Sequence, residues 1–274
     1  MASRTWFITG TSRGFGREWA LAALERGDRV VGTARNPSSM DDIAAEYDSD
    51  RFLALQLDVT NRDADFAAVE RAREHFGELD IVVNNAGYGH FGTIEELTEQ
   101  EARDQIETNL FGALWVTQAA LPILREQRRG HIVQVSSIGG ITAFPTVGIY
   151  HASKWGLEGF SQALAQEVED FGIHITLIEP GGFSTDWAGD SATHSEPLAA
   201  YDAIREARQR YRSGVAPGDP VASAAAILKV VDADPPPLRC FFGESPLPLA
   251  EADYASRLEN WRRWQPVAEL AQGG

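Results

Sequence analysis

Two kinds of hydrophobic pattern alternate along the chain. Short runs of apolar and β-branched residues predict strands, and longer stretches with apolar residues at spacings of three and four predict helices. Because the two alternate, we predict a parallel sheet, and because the runs are apolar nearly throughout, we expect helices on both of its faces. The predicted strands are 5–9, 29–33, 52–57, 79–83, 131–135, 174–178 and 238–242.

The helices predicted between these strands are 19–25, 63–75, 99–121 and 156–168. The most apolar long stretch, 110–124, contains polar residues and Pro122, which favours a buried helix. Thr60 or Asn61 can cap the second helix, and Thr98 the third, because their side-chain oxygens accept hydrogen bonds from free backbone N–H groups.

A length of 274 residues could hold two domains. We nevertheless predict a single doubly wound α/β domain, because no repeat and no linker rich in Pro, Gly or Ser divides the chain. Residues 184–220 are polar and contain several Gly and Pro, which predicts an irregular lid, and 235–237 are three prolines that predict a stiff surface connection. Tyr254, Leu258 and Trp261 recur near helical spacing in the tail 245–274, which could cover a pocket or form an oligomer contact.

Composition narrows the functional classes. The formal charge of -16 repels nucleic acid and anionic lipid surfaces. The single cysteine, Cys240, excludes an internal disulfide, and the histidines show no metal-ligand spacing, so no metal site is expected. We find no signal-peptide pattern and no run near the ~18 apolar residues of a membrane span, so we expect a cytoplasmic protein.

A glycine-rich segment follows the first predicted strand and precedes a helix. Its glycines, Gly10, Gly14 and Gly16, allow a tight turn and close approach of the backbone to a pyrophosphate, which the helix N-terminus attracts. A plain strand-to-helix turn is the alternative. The Gly-x-x-x-Gly-x-Gly spacing also differs from the general Gly-x-Gly-x-x-Gly fingerprint.

Five motifs in this order resemble the short-chain dehydrogenase/reductase family over roughly residues 4–185. They are the glycine segment, Asn84-Asn85-Ala86-Gly87, Ser137, Tyr150-x-x-x-Lys154, and Pro180-Gly181 followed by Thr185. The resemblance implies a Rossmann-type, seven-stranded sheet in the order 3-2-1-4-5-6-7 that binds a nicotinamide dinucleotide.

The resemblance also implies where the dinucleotide is bound. Asp58 is expected at the adenine with Val59 beside it, although Asp58 could equally cap a helix. Thr185 and the backbone near Phe183 are expected to hold the carboxamide. The complete set implied at the cofactor is Gly10, Ser12, Arg13, Gly14, Phe15, Gly16, Arg35, Asp58, Val59, Asn85, Ala86, Gly87, Tyr150, Lys154, Pro180, Gly181, Phe183 and Thr185.

The end of the second strand distinguishes the two nicotinamide dinucleotides. NAD enzymes place a carboxylate at the ribose hydroxyls, whereas cations pair with the extra phosphate of NADP. The family's acidic position falls at Ala34, while Arg35 and Arg13 stand where similar NADP-dependent members have basic residues. We therefore expect NADP, with solvated surface charges as the alternative for each arginine.

Tyr150 and Lys154 lie four positions apart in a predicted helix, so their side chains share one face. By the resemblance, Tyr150 transfers the proton and Lys154 lowers its pKa. Ser137 holds the substrate carbonyl, with Ser136 as the alternative should the register differ by one. Asn109, an unfavourable residue inside a helix, is implied to bind a water through a backbone break and to complete a proton relay.

These residues predict an NADP(H)-dependent oxidoreductase that interconverts a ketone or aldehyde with an alcohol. Trp187 and Tyr201 could line an apolar pocket for a lipophilic substrate, and His90 and Phe91 could touch it or belong to an ordinary loop. The alternatives are an NADP(H)-sensing regulator without turnover and a sugar-nucleotide epimerase or dehydratase. The resemblance also implies a homodimer or homotetramer that pairs through the helices holding Asn109 and Tyr150.

Overall fold

The computed structural model describes residues 3–185, 187, 189 and 191–273, and seven strands of this part of the chain form one parallel sheet. Two further short strands pair with each other. In chain order the strands are β1 (Thr5–Thr9), β2 (Arg29–Ala34), β3 (Phe52–Gln56), β4 (Ile81–Asn84), β5 (His90–Phe91), β6 (Gly130–Val135), β7 (Ile173–Pro180), β8 (Thr193–His194) and β9 (Arg239–Phe242).

The order in the large sheet is β3-β2-β1-β4-β6-β7-β9. Numbered among the seven strands of this sheet alone, it reads 3-2-1-4-5-6-7, as predicted, and the predicted ends are correct to within two residues. The order reverses direction between β1 and β4. In open α/β sheets, ligands bind beyond the carboxyl ends of the strands at such a reversal.

Helices cover both faces of the sheet. They are α1 (Gly14–Arg26), α2 (Asp41–Glu46), α3 (Arg62–Phe76), α4 (Glu99–Ile106), α5 (Gly112–Gln127), α6 (Gly148–Glu167), α7 (Asp202–Ser213), α8 (Ser223–Asp232) and α9 (Pro246–Ala271). Side chains alternate along β1: Trp6 and Ile8 enter the core beneath α1 and α8, whereas Phe7 enters the core beneath α3 and α5. This two-sided burial explains the continuous apolar pattern of the strands.

The predicted helix caps are present at two helix starts. Asn61 accepts a hydrogen bond from the backbone N–H of Ala64 at 3.1 Å. Thr98 and Glu101 form a reciprocal capping box at the start of α4. Thr60, the alternative cap, instead bonds to Asp58.

The long helix predicted over 99–121 is interrupted. Glu107–Phe111 form a π-helical turn between α4 and α5, and Asn109 lies in its middle. Pro122 lies inside α5, which continues to Gln127. The prediction of one regular helix was therefore wrong at the turn that contains Asn109.

The predicted lid, 184–220, is more regular than its composition suggested. It contains β8, which pairs with β5, and the twelve-residue helix α7, while its positions 186, 188 and 190 lie outside the described residues. Most of the predicted tail forms α9. Its first turns are buried at Pro246 and Ala250, and the side chains of Trp261 and Trp264 are exposed. None of the described helices is long and apolar enough to cross a membrane.

Asp65 is a fully buried carboxyl group near the start of α3. Neither of its carboxyl oxygens has a hydrogen-bond partner among the described residues. Burial, reinforced by the nearby charge of Asp58, raises the pKa of Asp65 to about 8. The group is therefore stable in the core mainly as the neutral acid.

We expect Asp65→Asn to stabilise the fold, and to do so more at pH 8 than at pH 5. The folded state retains a proton that the unfolded chain releases at lower pH, so stability falls as pH rises through the window from about 4 to about 8. Because the amide does not ionise, its advantage at pH 8 should exceed that at pH 5 by on the order of 2–4 kcal/mol. Urea unfolding of both proteins measures this difference, and equal advantages at the two pH values would contradict the explanation.

Candidate active site

The carboxyl ends of β1, β2, β4, β6 and β7 open into one cavity of about 1830 Å³. The glycine segment, the end of β2 and Tyr150 line it, together with Trp187 and α7. A cavity of this size has room for a dinucleotide together with a second, smaller molecule.

The glycine segment is shaped for close approach of a ligand. Gly10 and Gly14 have φ values of 70° and 59°, in the left-handed region that favours glycine. The Thr11 hydroxyl donates to the Ile8 carbonyl at 2.9 Å and holds the turn. A Cβ on Gly16 would lie 2.5 Å from the side-chain nitrogen of Asn85, so a side chain there would displace the segment. These backbone features fit a pyrophosphate at the N-terminus of α1.

Every residue predicted at the cofactor lines the cavity except Gly16, which packs beneath the segment. The predicted residues at the wall are Gly10, Ser12, Arg13, Gly14, Phe15, Arg35, Asp58, Val59, Asn85, Ala86, Gly87, Tyr150, Lys154, Pro180, Gly181, Phe183 and Thr185. The fold therefore brings together residues from six separate segments of the chain.

Two of these residues also make local hydrogen bonds that the sequence did not indicate. The Asn85 amide donates to the carbonyls of Thr9 and Gly10, at 2.9 Å each, and so fastens the end of β4 to the glycine segment. The carboxylate of Asp58 accepts from the Thr60 backbone and hydroxyl at 3.1 and 2.8 Å. Both residues thus position the cavity wall as well as line it.

Arg35 is exposed at the cavity edge, directly after β2. Within the described part of the chain no carboxylate forms an ion pair with it. Ala34 offers neither a charge nor a hydrogen-bonding side chain at the preceding position. The end of β2 therefore presents a cation to the cavity in place of an acid.

Tyr150 and Lys154 lie one turn apart on α6, and both are buried. Burial raises the pKa of the Tyr150 phenol to about 12, while the neighbouring Ser137 hydroxyl acts in the opposite direction. At neutral pH the phenol therefore carries its proton. This is the form that a proton donor needs.

Lys154 does not outweigh the effect of burial on the pKa of Tyr150, so the predicted lowering is not seen as a net shift. Its ammonium donates to the Val135 carbonyl at 2.8 Å and lies 5.9 Å from the centre of the tyrosine ring. Burial also lowers the pKa of Lys154, to about 8. Desolvation of both groups thus outweighs their mutual influence.

The two serines at the end of β6 face different partners. Ser137 interacts with Tyr150 and accepts a hydrogen bond from the Gly139 N–H at 2.9 Å. The Ser136 hydroxyl instead faces Glu158, one turn beyond Lys154 on α6. The geometry favours Ser137 over Ser136 as the residue beside the reacting group.

Asn109 joins the π-helical turn to the segment that follows β4. Its side-chain oxygen accepts from the Tyr88 N–H at 3.1 Å, and its nitrogen donates to the Tyr88 carbonyl at 2.9 Å and to the Ser153 hydroxyl at 3.3 Å. The backbone break expected at this residue is present. Its side chain, however, serves to fix the cavity wall.

Aromatic rings cluster at the cavity wall around Tyr150. The Trp187 ring lies 4.9 Å from Tyr150 and 5.4 Å from Phe91, measured between ring centres. Tyr201, in contrast, lies outside the cavity wall and its hydroxyl donates to Glu95, so its predicted place in the pocket was wrong. His90 is buried between the hydroxyls of Ser195 and Thr193, at 2.7 and 2.8 Å, and fastens β8 to β5.

Several residues at the cavity were missed by the sequence analysis. Arg205, Arg208 and Arg212 of α7 line it, as does Phe144. No helix was predicted in the polar lid, so there was no reason to place these arginines together on one helix face. Groups of three or more His, Cys, Asp or Glu side chains suited to a metal ion are absent from the part of the chain that the structure describes.

The family model for short chain dehydrogenases matches residues 4–196. The chain belongs to the short-chain dehydrogenase family. Members of this family are oxidoreductases that bind nicotinamide cofactors and act on small molecules. The oxidoreductase activity is therefore assigned at the level of the family.

Several known proteins are similar to this chain over most of its length. A short-chain dehydrogenase from Streptomyces avermitilis superposes with a TM-score of 0.92, with 37% identity and 98% of each chain covered. Oxidoreductase BOA17 of Botryotinia fuckeliana is 43% identical over 244 residues, covering 88% of this chain and 89% of the relative. A 3-ketodihydrosphingosine reductase of Bacteroides thetaiotaomicron is 36% identical over 262 residues, covering 93% and 91%.

Proposed function

We propose that this oxidoreductase uses NADP(H) to interconvert a lipophilic ketone or aldehyde with the corresponding alcohol. The observation that carries the proposal is the meeting of Tyr150, Lys154 and Ser137 in one cavity with the glycine segment and Arg35. Bound NADPH would supply a hydride to the carbonyl carbon. The remaining chemistry falls to side chains of the protein.

Ser137 and Tyr150 act on the carbonyl oxygen. The Ser137 hydroxyl donates a hydrogen bond that positions this oxygen, and the Tyr150 phenol donates the proton that completes the alcohol. The raised pKa of Tyr150 keeps that proton available at neutral pH. In the reverse direction, Tyr150 accepts the proton of the alcohol.

Lys154 and Asn109 support this proton transfer. Because its pKa is lowered to about 8, Lys154 can both release and regain a proton near neutral pH. Its ammonium favours the phenolate that remains after Tyr150 has donated its proton. Asn109 fixes the π-helical turn beside Ser153, which in turn donates to the Tyr150 carbonyl at 2.6 Å.

The preference for NADP(H) rests on the end of β2. A guanidinium forms paired, charge-assisted hydrogen bonds with a phosphate. A ribose hydroxyl is uncharged and cannot form such a pair. Arg35 faces the cavity, and Arg13 projects from the glycine segment at its edge. Ala34 lacks the carboxylate that would bind the two ribose hydroxyls of NAD.

A lipophilic substrate fits the wall around Tyr150. Trp187, Phe91 and Phe144 give this part of the cavity a largely aromatic lining. Binding of an apolar ligand against such walls is favourable because it removes apolar surface from water. The relative named a 3-ketodihydrosphingosine reductase supports the reduction of a keto group in this part of the family.

Oxidation of NADPH and NADH, followed by absorbance in parallel over a panel of ketones, quinones, steroids and aldehydes, tests this function. We expect several lipophilic carbonyl compounds to be reduced, with higher kcat/KM for NADPH. Faster NADH oxidation throughout the panel would contradict the cofactor assignment. Tight NADPH binding without any turnover would favour a sensor in place of an enzyme.

A further inference from the structure

The inner face of α7 carries three arginines. Arg205, Arg208 and Arg212 follow one another at spacings of three and four, so they lie along one side of the helix, and all three line the cavity. A row of cations is unexpected at an otherwise aromatic wall in a chain with a formal charge of -16.

Arg205 stabilises the position of α7. It forms ion pairs with Glu96 and Asp202 and donates to the Leu198 carbonyl, so it fastens the lid helix to the segment after β5. Arg210, on the outer side of α7, pairs with Glu206 at 3.7 Å. Glu96, Asp202 and Glu206 are thus paired with arginines other than Arg208 and Arg212.

Arg208 and Arg212 have no such partner among the described residues. Arg208 is partly buried, and its Nε is fully buried without a hydrogen-bond acceptor. Burial and the like charge of the neighbouring Arg212 both disfavour its charged form and lower its pKa. A buried guanidinium whose Nε lacks an acceptor is costly, and an anion bound at the cavity side of the same guanidinium would offset that cost.

The two arginines lie on the substrate side of the cavity. The Arg208 guanidinium is 5.6 Å from the centre of the Phe144 ring, which packs against His151 beside the catalytic tyrosine. The Arg212 guanidinium is likewise 5.6 Å from the centre of the Phe91 ring. Phe91 contacts Trp187, and Trp187 contacts Tyr150. Aromatic rings therefore separate both cations from the reacting end of the pocket.

We propose that Arg208 and Arg212 bind a carboxylate on the substrate, at the end opposite its reacting carbonyl. This inference rests on the proposed reduction and adds a substrate class to it. The class consists of carbonyl compounds in which an apolar, preferably aromatic, segment joins the keto group to a carboxylate. A substrate with an ammonium group at that end would be repelled by the same pair.

Three probes with one carbon skeleton test this selectivity. They are 3-(4-acetylphenyl)propanoate, its methyl ester, and the amine in which the carboxylate is replaced by CH₂NH₂. The informative variant is R208M/R212M, because methionine retains an apolar stem along the aromatic wall and removes both charges. Arg210→Met, on the outer side of the same helix, is the matched control.

We expect the wild type to reduce the carboxylate with a kcat/KM about 10- to 100-fold above that for the ester, and the amine least well. In R208M/R212M the carboxylate should fall to the level of the ester, while the ester and the KM for NADPH stay unchanged. Arg210→Met should keep the wild-type preference. Raising the salt concentration should reduce the preference in the wild type.

A wild type without preference for the carboxylate, or a preference that persists in R208M/R212M, would overturn the assignment. A raised KM for NADPH in the variant would do so too, because it would move the pair to the cofactor. Calorimetric titration of the carboxylate and the ester into the NADPH-loaded wild type and variant separates this inference from the proposed function. If no probe is reduced, selective carboxylate binding lost in the variant would still support the arginine pair, and its absence would refute it.

Discussion

Tyr150→Phe is expected to lower kcat for ketone reduction by about 10²- to 10⁴-fold, the range for loss of a positioned proton donor. The variant removes only the phenolic oxygen, so the ring contact with Trp187 and the packing of α6 persist. Steady-state NADPH oxidation with one substrate from the panel measures the loss. The Kd for NADPH, from fluorescence or calorimetric titration, should stay near the wild-type value.

The matched control is Tyr254→Phe, which removes the same hydroxyl from an exposed position on α9. It should leave kcat unchanged. A Tyr150→Phe variant that keeps most of its turnover would show that another group donates the proton. A variant that loses NADPH binding along with turnover would assign Tyr150 to cofactor binding and would not support a role in proton transfer.

Arg35→Ser is expected to lower kcat/KM for NADPH by about 10- to 100-fold, chiefly through KM, with little change for NADH. The physical reason is the loss of charge-assisted hydrogen bonds to the extra phosphate, which NADH lacks. Because Arg35 is exposed, the substitution should leave the fold intact. Parallel kinetics with the two nucleotides give the ratio directly.

Arg71→Ser is the control for Arg35→Ser, because it also replaces a surface arginine. Arg71 is exposed on α3 and pairs only weakly with Glu74. Its kinetics with both nucleotides should match the wild type. If Arg35→Ser weakened NADPH and NADH equally, Arg35 would not recognise the 2′-phosphate. An unchanged preference would assign the discrimination to another residue, with Arg13 the next candidate.

The sheet was predictable because its strands are buried on both faces. Runs such as 5–9 are apolar or β-branched at every position, and the stretches between the runs have the apolar spacing of helices. The order of the strands came from the resemblance to the family, since the periodicity itself indicates a parallel sheet without an order. The structure confirmed both the sheet and its order.

The lid could not be predicted in the same way. The inward positions of α7 face a cavity in place of a core, so arginines occupy them and the hydrophobic pattern of a helix is missing. The π-helical turn at Asn109 was similarly invisible to periodicity, because one extra residue in a turn barely shifts the pattern. The resemblance to the family indicated the break in the helix. The contacts between Asn109 and Tyr88 could be seen only in the folded structure.

The electrostatics of the catalytic pair also depended on burial. From sequence, a lysine one turn from a tyrosine predicts a lowered phenol pKa. In the folded protein, loss of solvent raises the pKa of Tyr150 and lowers that of Lys154, and Lys154 donates to a backbone carbonyl. Desolvation depends on everything packed around a group, and sequence spacing does not contain that information.

Isotope transfer shows directly whether the hydride of NADPH reaches the carbonyl carbon and whether Tyr150 is needed. The wild type and Tyr150→Phe would be incubated with NADPH that carries deuterium at the transferable position and with a ketone from the panel, and the alcohol would be analysed by mass spectrometry. The proposed mechanism predicts one deuterium on the carbinol carbon in the wild-type product and little alcohol from the variant. An alcohol without deuterium, or equal amounts of deuterated alcohol from both proteins, would contradict it.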